Sequence, residues 1–329
     1  MAEARQGEVI VLLSAYNGAR YIARQIESIQ GQSFRDWRLL VRDDLSADDT
    51  VEIVRRYCAA DPRISLIDNA TSNIGPSASF GRLLSRAYEA RAEYVFLSDQ
   101  DDVWLEDKME QQLSMLRAAG NSRPVLVHSD LVLVDENLQR LHASFSEFQR
   151  TFYDSVDPIG TLLIHNAVVG CTIAMNRPLL ELALPVPPGT LHDWWLAVCA
   201  AAGGTIQRTL EPTVLYRQHS SNVVGVEHRH VFLRELALHP VSYTNKTFRS
   251  FDTGVVQARA LRDRLRSRPV IDHDVLRRVE RYCDAFSDGG SMMGRLRALR
   301  ASHPRPRRTT SKIILRALAA LYPFAIKHL

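Results

Sequence analysis

Apolar runs and helix-spaced apolar residues take turns along the first 130 residues, and this alternation limits the fold more than any other feature. The run over 9–15 reads as a buried strand. Residues 19–30 then space Ile22, Ile26 and Ile29 along one helix face. Stretches 37–41, 64–67, 94–97 and 124–128 are further strands by the same criterion. Between them Val51, Val54, Tyr57 and Cys58, then Phe80, Leu83, Leu84 and Ala87, then residues 105–119, carry helical spacing. Strands that alternate with helices predict an α/β chain, with a mostly parallel sheet flanked by helices on both faces. Residues 135–165 follow neither period and read as a long excursion. A strand is expected over 170–175, a helix over 192–201 and a last strand over 214–217.

Each early strand ends in a polar cluster. Tyr16-Asn17 follows the first, Asp43-Asp44 the second, Asn73 the third, and Asp99-Gln100-Asp101-Asp102 the fourth. Open parallel sheets bind ligands beyond the carboxyl ends of their strands, so these clusters share one predicted rim. No G-x-G-x-x-G follows the first strand and no G-x-x-x-x-G-K-[ST] occurs, which removes the usual dinucleotide and P-loop readings. The cysteines Cys58, Cys171, Cys199 and Cys283 are scattered, which excludes a disulfide framework or a C-x-x-C zinc site. Reduced thiols and a polar N-terminus without an apolar leader suit the cytoplasm. No stretch reaches the roughly 20 apolar residues that span a bilayer.

The acidic run carries the sharpest chemistry. Carboxylates two apart, just past a strand, can converge on a hard divalent cation such as Mg²⁺ or Mn²⁺, which in turn bridges substrate phosphates. The plainer alternative is a solvated turn that caps the next helix; the apolar strand before the run and Trp104 after it favour the site.

Three stretches together resemble the family 2 glycosyltransferases of the GT-A fold: residues 11–18 (VLLSAYNG), 42–50 (RDDLSADDT) and 97–104 (LSDQDDVW). Asn73-Ile74-Gly75, His192-Asp193-Trp194-Trp195 and residues 216–225 (YRQHSSNVVG) extend the likeness over about residues 8–226. The last of these, with Ser98 to Asp102, is similar to the bacterial branch that includes rhamnosyltransferases of cell-surface polysaccharides. The sequence departs from the family's commoner pattern at Ser79, where many members carry Asn, so no donor contact is assigned there.

The resemblance implies a Rossmann-like catalytic domain over 1–227. Its nucleotide-sugar half covers about 8–130 and its acceptor half about 131–227. An inverting transferase would move a sugar, rhamnose by preference, from a nucleotide diphosphate to a carbohydrate or lipid-linked glycan. Asp44 would accept the N3–H of a pyrimidine base and Tyr16 would pack near that base, although a core aromatic is an equal reading of Tyr16. Asn17 and Asn73 would belong to the donor site. Asp99 would sit near ribose and metal, Asp101 would bind the metal, and His219 would complete its shell or touch the diphosphate, with a satisfied surface histidine as the equal reading. Arg217 would meet phosphate as a bidentate donor, unless it is simply exposed. Asp193, opening a helix, would be the general base. Gly170 and Cys171 would line the acceptor side, and Trp194 or Trp195 would stack on a sugar or pack in the core.

Residues 228–329 fall outside the likeness. Arginine is frequent there, and residues 255–265 and 275–286 are helical by spacing. The tail from 305 pairs Arg305, Arg307, Arg308, Lys312 and Arg316 with apolar Ile313, Ile314, Leu315, Leu318 and Leu321, which suits the anionic inner face of the plasma membrane. A helical cap on the catalytic domain is the other reading. Nucleic acid is not an expected partner, because no aromatic residues interleave the arginines. The competing functions are a sugar nucleotidyltransferase, which lacks its glycine-rich basic loop here, and a non-catalytic nucleotide-sugar-binding protein.

Overall fold

The computed structural model describes residues 8–67, 71–149, 156–209, 211–219, 240–268, 272–287 and 289–302. The chain divides into two compact units, each assembled from separated stretches. Unit 1 comprises Met1–Thr151, Val168–Pro188 and Gly203–Gly225, and unit 2 comprises Phe152–Ala167, Gly189–Ala202 and Val226–Leu329.

Unit 1 opens with β1 (Val9–Ala15), α1 (Ile22–Gln30), β2 (Trp37–Asp43), α2 (Thr50–Ala60), β3 (Ile64–Leu66), α3 (Pro76–Glu89) and β4 (Tyr94–Ser98). There follow β5 (Val103–Trp104), α4 (Lys108–Ala119), β6 (Val125–His128), β7 (Leu131–Val134), β8 (Arg140–His142) and α5 (Phe145–Gln149). The chain leaves for unit 2 through α6 (Pro158–Leu162), then returns with a 3₁₀ turn over Gly170–Thr172, β9 (Ala174–Asn176) and α7 (Arg177–Ala183). After α8 (His192–Gly203) come β10 (Thr205–Arg208) and β11 (Val214–Arg217).

The main sheet has the order β10-β6-β9-β4-β1-β2-β3. β1 pairs in parallel with β2, Val9 opposite Trp37, and with β4, Val9 opposite Tyr94. Val9 to Leu13 have no exposed surface, which is why the sequence shows an apolar run instead of alternation. Ile22, Ile26 and Ile29 of α1 are equally covered, at about 1.5–3 kcal/mol of transfer free energy each. β9 departs from the parallel pattern: it runs antiparallel to both β4 and β6. The expected strand over 170–175 is thus a 3₁₀ turn followed by a shorter strand.

A second sheet, β5-β11-β7-β8, was not foreseen. β11 lies parallel to β7 and antiparallel to the two-residue β5, which directly follows the acidic run. This pairing brings residue 217 beside residues 101 and 102.

Unit 2 contains α6, most of α8, and the helices α9 (Pro240–Arg266), α10 (His273–Ala285) and α11 (Met292–Ser302). Asp157 caps α6 at Gly160 N–H, and both its oxygens take Arg278 of α10. Phe251, Tyr282 and Phe286 pack as an aromatic cluster. A Cβ at Gly254 would lie 2.9 Å from Cη2 of Trp194, so glycine lets α9 approach α8 closely. Among the described residues no helix is long and apolar enough to cross a membrane. The tail over 303–329 lies outside the described residues, as do residues 220–225.

Candidate active site

The loops after β1 and β2 interlock. Asn17 adopts φ +48°, donates its N–H to Ser46 Oγ at 2.8 Å, and accepts Ala47 N–H on Oδ1 at 2.8 Å. Asp43 turns into its own loop, where Oδ2 accepts the N–H groups of Leu45 and Ser46. Asp48, not Asp43, holds the first turn of α2 by accepting the N–H and hydroxyl of Thr50. Asp44 therefore remains for another role.

Asp44 is 2% exposed and sits in a prepared cradle. Oδ1 takes Arg42 Nη1 at 2.8 Å, Oδ2 takes Gly75 N–H at 2.7 Å, and Ile74 N–H is shared between both oxygens at 3.1 Å. Asn73 shapes this turn by accepting Gly75 N–H on Oδ1. Ser79 Oγ accepts from Arg42 at 2.8 Å and bonds Ser14 Oγ at 2.6 Å. The unusual serine thus completes a buried polar chain from β1 to Asp44. Tyr16 is 48% exposed above this rim, which ends the core reading of its ring.

Gln100 clamps the first loop to the fourth. Its Oε1 accepts Tyr16 N–H and its Nε2 donates to Tyr16 C=O, both at 2.9 Å, as a strand rung would. A Cβ at Gly18 would lie 2.1 Å from Gln100 Oε1, so a side chain there would displace the amide from its place against Tyr16.

The acidic residues separate by depth. Asp102 is wholly buried, with Oδ1 accepting Arg217 N–H at 3.2 Å. Burial, then the charges of Asp101 and Asp99, push its carboxyl well above the usual range. One ligand atom from each of Asp99, Asp102 and Cys171 falls within 4.8 Å of the others. Burial and the Asp102 charge also raise the Cys171 thiol, so it stays protonated. Lys108 lies deeper, donating to Gln112 Oε1 at 2.7 Å and Thr172 C=O at 3.2 Å, its ammonium 4.9 Å from the Trp104 ring. Burial brings it down to about 7.

Asp101 faces elsewhere: its Oδ2 is 2.9 Å from Nε2 of His219, 118 positions along the chain. Arg217 is buried, not exposed. Its Nε donates to Asp101 C=O at 2.8 Å and Nη1 to Glu136 C=O at 2.5 Å. The guanidinium thus braces the main chain of residues 101 and 136.

Asp193, Asn166, Trp194 and Trp195 belong to unit 2. Asp193, in the first turn of α8, accepts Asn166 Nδ2 on Oδ2 at 2.9 Å and Trp194 N–H on Oδ1 at 2.6 Å. Trp194 donates Nε1–H to Leu162 C=O at 2.6 Å, and Trp195 lies under the Arg264 guanidinium at 5.4 Å. Both rings are buried and offer no open face to a sugar. In unit 1, Gly170 and Cys171 are likewise buried, with the thiol directed at Asp102 and not at the surface.

Sequence reasoning passed over Tyr21, Gln100, Lys108, Asn166 and the role of Ser79. Lys108 and Gln112 stood four apart on the apolar face of a helix, which was a readable sign of a buried polar pair. Asn166 gave no such sign.

A family model described as Glycosyl transferase family 2 matches residues 10–181, more than half of the chain. The chain is 28% identical over 220 residues to the dTDP-rhamnosyl transferase RfbG of Shigella flexneri, a match spanning 65% of this chain and 73% of that protein. It is 28% identical over 192 residues to WfgD of Escherichia coli, a UDP-Glc:alpha-D-GlcNAc-diphosphoundecaprenol beta-1,3-glucosyltransferase, spanning 58% and 69% respectively. Among solved structures, S. aureus TarS 1-349 in complex with UDP-GlcNAc superposes with a TM-score of 0.54 at 16% identity, covering 96% of this chain and 91% of that one. That likeness shows the GT-A fold.

Proposed function

Since this chain belongs to glycosyl transferase family 2 and is a glycosyltransferase, we propose that it moves a sugar from a nucleotide diphosphate onto a carbohydrate or lipid-linked glycan hydroxyl, with inversion. A deoxythymidine-diphosphate rhamnose donor is the first candidate, and the likeness to RfbG supports it. The observation that carries the reading is the Asp101–His219 pair at 2.9 Å, two residues on from Asp99 and just past β4.

Two carboxylates and an imidazole make an oxygen-rich donor set with one nitrogen, which fits Mg²⁺ or Mn²⁺. The protonated, buried Cys171 adds no thiolate that would favour a softer ion. When bound, such a cation neutralises the diphosphate leaving group. Asp101 and His219 would hold it, and Asp99, whose ligand atom lies with those of Asp102 and Cys171, would join them by turning its side chain.

The remaining roles fall to the chain itself. Three donors make four contacts with Asp44, two on each oxygen, so the N3–H of a pyrimidine would take over one half of the shared Ile74 contact. Tyr16 supplies an exposed ring for the base to pack against. Asn17 and Asn73 fix the loops around it, and Arg217 fixes the main chain of the acidic run. Asp193 takes the proton from the attacking hydroxyl, with Asn166 holding its carboxylate in one orientation.

An acceptor on a lipid carrier would place the enzyme at the inner membrane face, within synthesis of a cell-surface polysaccharide; the acceptor in WfgD's name supports this. So does the charge of the C-terminal stretch: residues 289–329 hold nine Lys and Arg and no Asp or Glu.

The test is a donor panel of dTDP-rhamnose, UDP-glucose, UDP-GlcNAc and GDP-mannose, scored for hydrolysis and transfer with and without Mn²⁺. Mn²⁺-dependent release of dTDP above the other nucleotides is the expected result. Preference for a UDP sugar would overturn the rhamnose assignment, and metal-independent turnover would overturn the cation.

A further inference from the structure

We infer that Tyr21 is a positioning residue for the metal site, its ring setting the plane in which the His219 imidazole meets Asp101. The inference rests on the metal reading given above and adds a residue that touches neither metal nor substrate.

Tyr21 precedes α1, and its placement is fixed by the main chain. Gly18 C=O accepts the N–H groups of Tyr21 at 2.9 Å and Ile22 at 3.0 Å, which closes the turn and starts the helix. The phenol ring stacks on His219, with centroids 4.8 Å apart and planes inclined by 28°. The Arg217 guanidinium carbon lies 4.7 Å from the same ring centroid, and that of Arg20 lies 5.1 Å away. Arg20 then pairs with Glu136 at 2.7 Å, while the Glu136 carbonyl accepts from Arg217. The ring is therefore the common contact of three residues from two distant stretches of chain.

Stacking has a geometric consequence. An imidazole can present Nε2 to a carboxylate from any rotation about its Cβ–Cγ bond unless something blocks rotation. A flat aromatic neighbour limits the imidazole to stacked or edge-on orientations, and the one found at His219 is stacked. His219 lies two residues beyond β11, whose pairing with β7 continues to Gln218 N–H on Val134 C=O. Tyr21 adds a contact on the face of the imidazole. Outer residues that orient a metal-binding histidine commonly change affinity by about 10–100-fold when lost.

The experiment measures Mn²⁺ affinity of the full chain, without nucleotide, by the loss of the free Mn²⁺ paramagnetic resonance signal. The proteins are wild type, Tyr21→Phe, Tyr21→Leu, His219→Gln and Asp101→Ala. Tyr21→Leu keeps bulk at the position without a flat face. It is expected to weaken Mn²⁺ binding about tenfold, while Tyr21→Phe, which keeps the ring, binds as wild type. Thermal midpoints of the metal-free variants separate this effect from general loss of stability. Wild-type affinity in Tyr21→Leu, with His219→Gln weakened, would overturn the inference and leave the metal reading standing. Equal losses in Tyr21→Leu and Tyr21→Phe would also overturn it, because the hydroxyl and not the stacked ring would then be responsible. Unchanged affinity in both His219→Gln and Asp101→Ala would overturn the metal reading itself.

Discussion

Asn166 donates its side-chain N–H to Oδ2 of Asp193 at 2.9 Å, and the Trp194 backbone N–H occupies the other carboxylate oxygen. The carboxylate is thus held by two donors at the start of a helix. Asp193→Ala is expected to lower turnover by at least about 10², the lower end of what general-base assistance contributes. Asn166→Ala keeps the base but frees its orientation, and a smaller loss of about tenfold follows. Nucleotide-diphosphate affinity stays at the wild-type value in both. Steady-state rates paired with titration calorimetry of dTDP read the two effects separately, and near-normal turnover in Asp193→Ala would remove this residue from the mechanism.

At the acidic run the expectation is the reverse. Asp101→Ala removes the partner of His219 and one proposed cation ligand. The thermal shift that dTDP produces in wild type with Mn²⁺ should disappear in this variant. A ligand at 100 times its dissociation constant stabilises by about 2.7 kcal/mol, so the shift is easily read. Persistence of the Mn²⁺-dependent shift would show that the ion sits elsewhere.

Arg42 and Asp44 form an ion pair whose side chains are 1% and 3% exposed. Breaking such a pair leaves an uncompensated buried charge, at a cost of about 3–5 kcal/mol. Arg42→Leu is therefore expected to lose that much stability in urea denaturation. Ser79→Ala removes two hydroxyl contacts and should cost about 1 kcal/mol. Its donor affinity should fall as well, since Ser79 helps hold the cradle. A loss in Arg42→Leu below 1 kcal/mol would mean the pair is not the anchor described here.

Acid should destabilise the fold through His128. Burial, then the Arg208 guanidinium, brings this imidazole down from 6.5 to about 4. The unfolded chain takes up its proton near pH 6.5 and the folded chain only near pH 4. Between those values the unfolded state binds more protons, so stability falls as pH falls. The loss reaches about 2 kcal/mol by pH 5 relative to pH 7.5. Denaturation midpoints at these two pH values, for wild type and His128→Gln, provide the check. The variant should lose less stability on acidification, and an identical loss would assign the acid sensitivity to other groups.

Much of the donor-side framework was legible because its signals are local. The apolar runs that became β1, β2 and β4 are central strands buried at all but Ser14 and Arg38, so they show no alternation to confuse with a surface strand. Tyr16, Asp44 and Asp101 could be placed at one rim because each follows such a run directly. Arg217 could not be judged, since its burial depends on β11 pairing with β5 and β7, and the two-residue β5 has no periodicity to detect. Trp194 and Trp195 remained open for a similar reason. Their burial within unit 2 comes from partners as distant as Leu162 and Arg264. Asn166 sits at the end of a stretch with neither helical nor strand spacing, and no local rule points from it to Asp193.

The Gln100 clamp makes positions 18 and 100 interdependent. Its amide stands in for a missing rung between two loops, and it occupies the space that any side chain at 18 would need. A larger residue at 18 either displaces the Gln100 amide or is matched by a shorter residue at 100, and both outcomes surrender the grip on Tyr16. Attempts to retune base selectivity at Tyr16 therefore inherit a tether from the middle of the acidic run, and libraries should vary residues 16, 18 and 100 together.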